Sequence, residues 1–129
     1  MLGSLDFVYA PSADAAAEAG WMVAVLGAEH VFSIERFGTR VAMLRVGAGA
    51  PPLLLAEHLH GERPFLVHRV DALEPAMVEL EERGWERAPV GGFPYGPICA
   101  FEAPGGHRFA IYELTRPEVE EQIAGRFDF

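Results

Sequence analysis

The chain has 129 residues, of which 50% are hydrophobic and 22% charged, and these values are typical of one globular domain. Its single cysteine excludes an internal disulfide framework, and no apolar run approaches the roughly 20 residues that a membrane-spanning helix needs. Ten arginines, no lysine and 19 acidic residues give a net charge of −9, which disfavours binding to a phosphate backbone. We therefore expect one cytoplasmic domain, residues 1–129, without nucleic-acid or membrane partners.

The first half of the chain predicts a strand, a helix and three further strands. Residues 5–10 are β-prone and form the first strand. Ser12 or Asp14 can cap a helix over Ala15–Leu26, and Gly27 ends it. The later strands are expected at residues 30–37, 40–46 and 53–57, separated by turns rich in glycine and proline.

The second half repeats this order. Residues 65–70 predict a strand, and Glu74-Pro75 marks the start of a helix that ends at Gly84. Further strands are expected at residues 85–88, 97–101 and 107–114, with Gly91-Gly92 as a turn. The sequence thus predicts two successive βαβββ modules, residues 5–58 and 63–114, followed by a helical tail at residues 115–129.

Several short motifs resemble those of the vicinal-oxygen-chelate superfamily, which includes glyoxalase I, bleomycin- and fosfomycin-resistance proteins and extradiol dioxygenases. The matching segments are Asp14 with Trp21-Met22 and Leu26-Gly27 on the first helix, residues 70–73 and 80–84 at the ends of the second, and residues 101–107 before the last strand. The resemblance implies an α+β fold in which two tandem βαβββ modules form a half-open mixed β-sheet cup.

Metal-dependent members of the superfamily place four ligands on the first and last strands of each module. Carried over from the matched motifs, these positions fall on Phe7, Leu54, Phe65 and Ala110. Divalent ions need carboxylate oxygens or imidazole nitrogens, which none of these side chains offers. We therefore expect neither a metal nor another cofactor at the inherited positions.

Residues two apart on a strand share a face, so the predicted strands also indicate what lines the cup. The lining is apolar, with a few polar groups that suit a small, partly apolar ligand, and either of two arginines could hold an acidic group on it. The alternative is that large side chains fill the cup. The predicted ligand-binding residues are Phe7, Tyr9, Leu54, His58, Phe65, Arg69, Arg108, Ala110 and Tyr112.

Two classes of function remain open. The first, which we favour from the sequence, is a metal-free binding protein that resembles the bleomycin-resistance branch and forms a homodimer, as the resemblance implies. The second is an enzyme: a lyase, isomerase or dioxygenase. It would use either a displaced metal near His58, His60 and His107, or acid–base chemistry by His58, Tyr9 or Tyr112.

Overall fold

The structure is a computed structural model that describes residues 2–36 and 38–129. Phe37, the last residue of one predicted strand, lies outside these residues. The strands are β1 (Leu5–Pro11), β2 (Glu29–Arg36), β3 (Thr39–Arg45), β4 (Leu53–Ala56), β5 (Phe65–Val70), β6 (Val90–Phe93), β7 (Gly96–Ala103) and β8 (His107–Glu113). The helices are α1 (Ala15–Leu26), α2 (Leu73–Glu82) and α3 (Val119–Ile123).

All eight strands form one mixed sheet in the order β2-β3-β4-β1-β5-β8-β7-β6, which curls into a half-barrel. Within each βαβββ module the first and last strands are parallel, as β1 is to β4 and β5 is to β8. The two modules meet where β1 and β5 pair antiparallel. The α+β fold with two tandem modules is therefore confirmed.

Helices α1 and α2 pack on one face of the sheet, each over its own module. Asp14 caps α1 by accepting a hydrogen bond from the Ala17 amide at 3.0 Å, and Gly27 ends the helix in the left-handed conformation, with φ at 68°. Met77 of α2 is fully buried against β7 and β8. No helix in the described residues is long and apolar enough to cross a membrane.

The opposite face of the sheet carries the largest apolar cluster. We call it the aromatic face, because Phe7, Phe93, Tyr95 and Tyr112 are buried together there. Helix α3 packs Val119 and Ile123 against this cluster. The chain that follows α3 then runs along the free edge of β2, with hydrogen bonds of 2.8 and 2.7 Å that join Ser33 to residues 126 and 128. The tail therefore covers one edge of the sheet.

One predicted strand is wrong in position. Residues 85–88 are not a strand, and β6 lies further on, at Val90–Phe93, with Gly91-Gly92 inside it. These glycines pair with Ile98 and Pro97 of β7. Trp85 packs instead against Phe101, on the face that carries α2. Pairing with β7, which local residue types do not reveal, decides where the strand lies.

Candidate functional site

The centre of the aromatic face is filled by side chains. Phe93 contacts four rings, those of Phe7, Tyr9, Tyr95 and Tyr112, with centroid distances between 5.4 and 5.6 Å. Phe93 is only 6% exposed, and Phe7 and Tyr112 are buried beside it. Close packing of these rings fills the centre, and the polar groups described next lie towards the two ends of the strands.

The four positions at which the superfamily places metal ligands do not fit a metal ion here. Phe7, Leu54 and Ala110 belong to the buried apolar cluster of the aromatic face, and Phe65 packs against its edge. No group of three or more His, Cys, Asp or Glu side chains in the described residues is arranged to hold an ion. An ion surrounded by these four apolar side chains would lose its hydration without gaining ligands.

We expect purified protein to carry no stoichiometric divalent metal. Zinc, nickel, manganese and iron should also leave its melting temperature unchanged, because an ion that binds only the folded state would raise it. Elemental analysis after dialysis and thermal unfolding with each ion check this. One bound equivalent that disappears in His58→Ala or His107→Ala would contradict the prediction and would support a displaced metal site.

Polar side chains gather at one end of the aromatic face, which we call the His58 end. His58 follows β4, and its Nε2 lies 3.0 Å from the hydroxyl oxygen of Tyr9 on β1. Its Nδ1 lies 3.0 Å from Oγ1 of Thr39, the first residue of β3. Both ring nitrogens thus have partners, so the imidazole is fixed in position while the residue itself remains exposed.

The environment of this pair sets its protonation near neutral pH. Burial lowers the pKa of His58, and the charge of His60 lowers it further, so the imidazole is neutral at pH 7. Burial raises the pKa of Tyr9 to about 12, which keeps its hydroxyl protonated. A neutral imidazole that can accept a proton therefore lies beside a hydroxyl that can donate a hydrogen bond.

An arginine completes the His58 end. Tyr9, Phe65 and Arg108 are register partners on the neighbouring strands β1, β5 and β8. Since adjacent strands lie about 4.8 Å apart, Arg108 begins roughly 10 Å across the sheet from Tyr9. Its guanidinium carbon lies 3.8 Å from the centre of the Phe65 ring. The row therefore combines an acid–base pair, an apolar ring and a cation.

The other end of the aromatic face, which we call the Asp6 end, holds a second polar group. A β-bulge between Leu5 and Phe7 allows the Asp6 carboxylate to accept a hydrogen bond from the Tyr112 hydroxyl. Arg69 forms an ion pair with the same carboxylate at 2.8 Å. Burial alone would raise the pKa of Asp6, but hydrogen bonds from Ser4, Tyr112 and Arg69 together lower it below 3.8.

We expect Asp6→Asn to lower the free energy of unfolding by about 1 to 3 kcal/mol at pH 7, because hydrogen bonds to a charged group are lost. The native pKa of Asp6 is lowered, so its charge stabilises the fold above the unfolded pKa. That stabilisation disappears as the pH falls through the native pKa. Urea unfolding of both proteins between pH 7 and pH 3 should show their difference shrinking below about pH 4. A difference independent of pH would contradict this.

The structure divides the nine predicted ligand-binding residues among three places. Tyr9, His58, Phe65 and Arg108 lie at the His58 end. Arg69 and Tyr112 lie at the Asp6 end, and the remaining three, Phe7, Leu54 and Ala110, lie in the filled centre. Thr39, Asp6, Phe93 and Tyr95 were not among the residues predicted from the sequence. Of these, only Asp6 lay next to a predicted lining residue.

The fold resembles that of several solved structures. A hypothetical protein from Bacillus halodurans C-125 matches with a TM-score of 0.73 and 17% identity, over 88% of this chain and 95% of that one. Methylmalonyl-CoA epimerase from Mycobacterium tuberculosis matches with a TM-score of 0.68 and 23% identity, over 89% and 90%. The chain has the vicinal-oxygen-chelate fold. The resemblance that the sequence motifs indicate is thereby confirmed at the level of the fold.

A further neighbour with the vicinal-oxygen-chelate fold is a Streptomyces coelicolor methylmalonyl-CoA epimerase variant in complex with 2-nitronate-propionyl-CoA. It matches with a TM-score of 0.70 and 18% identity, over 89% of this chain and 96% of that one. No protein-family model matches the sequence. At these identities the similarity establishes the fold, and the activity of this chain has to be argued from its own residues.

Proposed function

We propose that the protein is a metal-independent isomerase that moves a proton at the carbon next to a carbonyl group of a small substrate. The observation that carries the proposal is the 3.0 Å contact between the Tyr9 hydroxyl and His58 Nε2, with the second imidazole nitrogen held by Thr39. Proton abstraction beside a carbonyl needs a base and a hydrogen-bond donor within reach of one substrate. The His58 end offers both.

The proton transfer follows from the hydrogen-bonding capacities of the two groups. We assign the Tyr9 hydroxyl as donor to Nε2, with Nδ1–H donating to Thr39. A substrate carbonyl oxygen beside Tyr9 would take over that hydrogen bond and free the lone pair of Nε2. Nε2 then accepts the proton from the adjacent carbon. The electron pair of the broken C–H bond forms a C=C bond, and the carbonyl electron pair moves to oxygen.

Tyr9 would stabilise the resulting enolate. Its hydroxyl stays protonated, because its pKa is raised to about 12, and it donates to the oxygen on which negative charge develops. Return of a proton from His58 to the opposite face of the planar enolate, once the enolate has turned in the site, inverts the carbon and regenerates the neutral imidazole. Return to the same face restores the substrate. The imidazolium exchanges its proton with water between these steps, so each turnover can leave a solvent hydrogen on that carbon.

The similarity to epimerases favours this reading over a binding protein without activity. Methylmalonyl-CoA epimerases are isomerases, and two of the structures described above carry that name. The expectation of a non-enzymatic binding protein therefore has less support than the enzyme alternative. The apolar part of a substrate would lie on Phe65, and Arg108 would hold an acidic group through charge-assisted hydrogen bonds.

Deuterium exchange tests the proposed function. EDTA-treated protein is incubated in D₂O with methylmalonyl-CoA and with a set of small 2-substituted keto acids, and mass spectrometry follows deuterium at the carbon next to the carbonyl. The proposal expects incorporation from at least one probe without added metal. Tight binding of a probe without exchange would support the binding-protein reading instead.

We also propose that the protein is a cytoplasmic homodimer, as the superfamily resemblance implies. Helix α1 supports a contact with a second copy, because Trp21, Val25 and Leu26 are each about half exposed or more on its outer side. Glu18 is the single charged residue of α1. Two copies of a chain with a net charge of −9 repel each other least where their surfaces are uncharged.

A further inference from the structure

Two arginines, Arg108 at the His58 end and Arg63 in the loop before β5, differ from most others in the partners of their side chains. Six arginines form ion pairs with carboxylates in the described residues, and these are Arg40, Arg45, Arg69, Arg83, Arg87 and Arg126. Arg63 and Arg108 instead donate to backbone carbonyls, and no carboxylate in residues 2–36 and 38–129 forms an ion pair with either. Neither guanidinium therefore has a carboxylate in direct contact within these residues, although the chain has 19 acidic residues.

Arg108 is held rigidly. Its Nη1 donates to the carbonyls of His60 and Arg63, each at 2.7 Å, and its guanidinium lies over the Phe65 ring. Glu102 is its register partner on β7, yet the two form no ion pair. Both hydrogen bonds use Nη1, so Nε and Nη2 remain as donors. A guanidinium fixed in this way loses little side-chain entropy when it binds an anion.

Arg63 is held by the turn that precedes β8. Its Nη1 donates to the Gly105 carbonyl at 2.6 Å. Because the carbonyl of Arg63 accepts from Arg108, the two arginines belong to one hydrogen-bonded unit. The unit joins the loop before β5 to the first residues of β8, and its Arg108 guanidinium lies on the same side of the sheet as Phe65.

Two glycines make room for the two guanidiniums. A Cβ at Gly61 would lie 2.8 Å from Arg108 Nη1, and a Cβ at Gly106 would lie 3.1 Å from Arg63 Nη1. Both glycines have positive φ, at 86° and 78°, which other residues adopt only with strain. A side chain at either position would therefore be strained and would shift the guanidinium beside it.

We infer that Arg63 and Arg108 form an anion site for a phosphate group, and that the substrate carries such a group. One guanidinium fork satisfies the two oxygens of a monocarboxylate. A phosphate monoester carries close to two negative charges and three acceptor oxygens at pH 7, so it uses donors from both arginines. That the bound phosphate belongs to the substrate rests on the proposed function, whereas the binding of phosphate by these arginines does not.

Isothermal calorimetry with inorganic phosphate, methyl phosphate and acetate tests the inference. We expect saturable binding of both phosphates, in the millimolar range for so small a ligand, and at least tenfold weaker binding of acetate. Arg63→Gln and Arg108→Gln should each weaken phosphate binding about 10- to 150-fold, since hydrogen bonds between charged groups are lost. Arg116→Gln, in an exposed position after β8, is the matched control and should bind as the unaltered protein does.

Three results would overturn the inference: no saturable heat with either phosphate, equal affinity for acetate, or unchanged binding in Arg63→Gln. Arg63→Gln leaves the Arg108 contact with Phe65 in place, so it remains informative if Arg108→Gln unfolds, as its melting temperature will show. His58→Ala separates the two proposals. It should slow deuterium exchange about a hundred- to ten-thousand-fold and retain phosphate binding, so failure of one proposal is distinguishable from failure of the other.

Discussion

His58→Ala is expected to lower the rate of deuterium exchange about a hundred- to ten-thousand-fold, the usual contribution of a positioned general base. The exposed imidazole packs little of its surface, so the melting temperature should change by much less than a core substitution would change it. The rate is measured by mass spectrometry in D₂O with the probe that the unaltered protein labels fastest. A large loss of rate in a folded variant assigns His58 to the chemistry.

His68→Gln is the matched control for His58→Ala. His68 lies on β5 but on the other face of the sheet from Phe65, where its Nδ1 bonds to the Gly3 carbonyl at 3.0 Å. Its substitution should leave the exchange rate within a factor of about two, because a change far from the site affects only stability. Equal loss in both variants would show that exchange depends on the fold and not on His58.

The pH dependence of exchange gives a second readout that a structural role would not produce. The rate should rise with pH as His58 loses its proton and level off above its pKa, which is lowered from 6.5. His60→Gln removes a like charge that contributes to this shift, so the midpoint of the profile should move upward. A profile unchanged in His60→Gln, or one that falls as pH rises from 5 to 7, would contradict the assignment of His58 as base.

Most of the fold was predictable because local signals agree with the long-range pairing. The Asp14 cap and Gly27 delimit α1 as the sequence indicates, and β1 to β5 begin and end close to the expected residues. The position of β6 was not predictable. Gly91-Gly92 are typical turn residues, and only their pairing with Ile98 and Pro97 makes them a strand.

The candidate site was predictable only where regular alternation holds. The resemblance places Phe7 and Phe65 on the cup face and alternation along β1 adds Tyr9 to it, and the structure shows Tyr9 and Phe65 as register partners. The bulge before Phe7 breaks this rule, so the position of Asp6 beneath Tyr112 could not be read from spacing. Contacts made by residues outside the strands, such as that of His58 with Thr39, have no periodic signal at all.

The side chains that fill the centre of the aromatic face leave room for polar groups at its ends. Phe93→Ala tests how much the packing of this centre contributes to the free energy of unfolding. Removing a buried phenylalanine typically costs 3 to 5 kcal/mol, through lost transfer free energy and the cavity left behind. Phe93 is 6% exposed and contacts four rings, so we expect a loss of about 4 kcal/mol within that range. Urea unfolding monitored by circular dichroism measures it.

Val90→Ala is the control for Phe93→Ala, because Val90 lies on the same strand but is 50% exposed, and its substitution should change stability by less than about 0.5 kcal/mol. The cavity would be lined by the rings of Phe7 and three tyrosines, and a cavity walled largely by such rings takes up small apolar molecules. Benzene should therefore raise the melting temperature of Phe93→Ala and leave that of the unaltered protein unchanged. Stabilisation of the unaltered protein by benzene would show that the centre already admits a ligand. The apolar part of the substrate would then be placed at the centre of the aromatic face and not on Phe65.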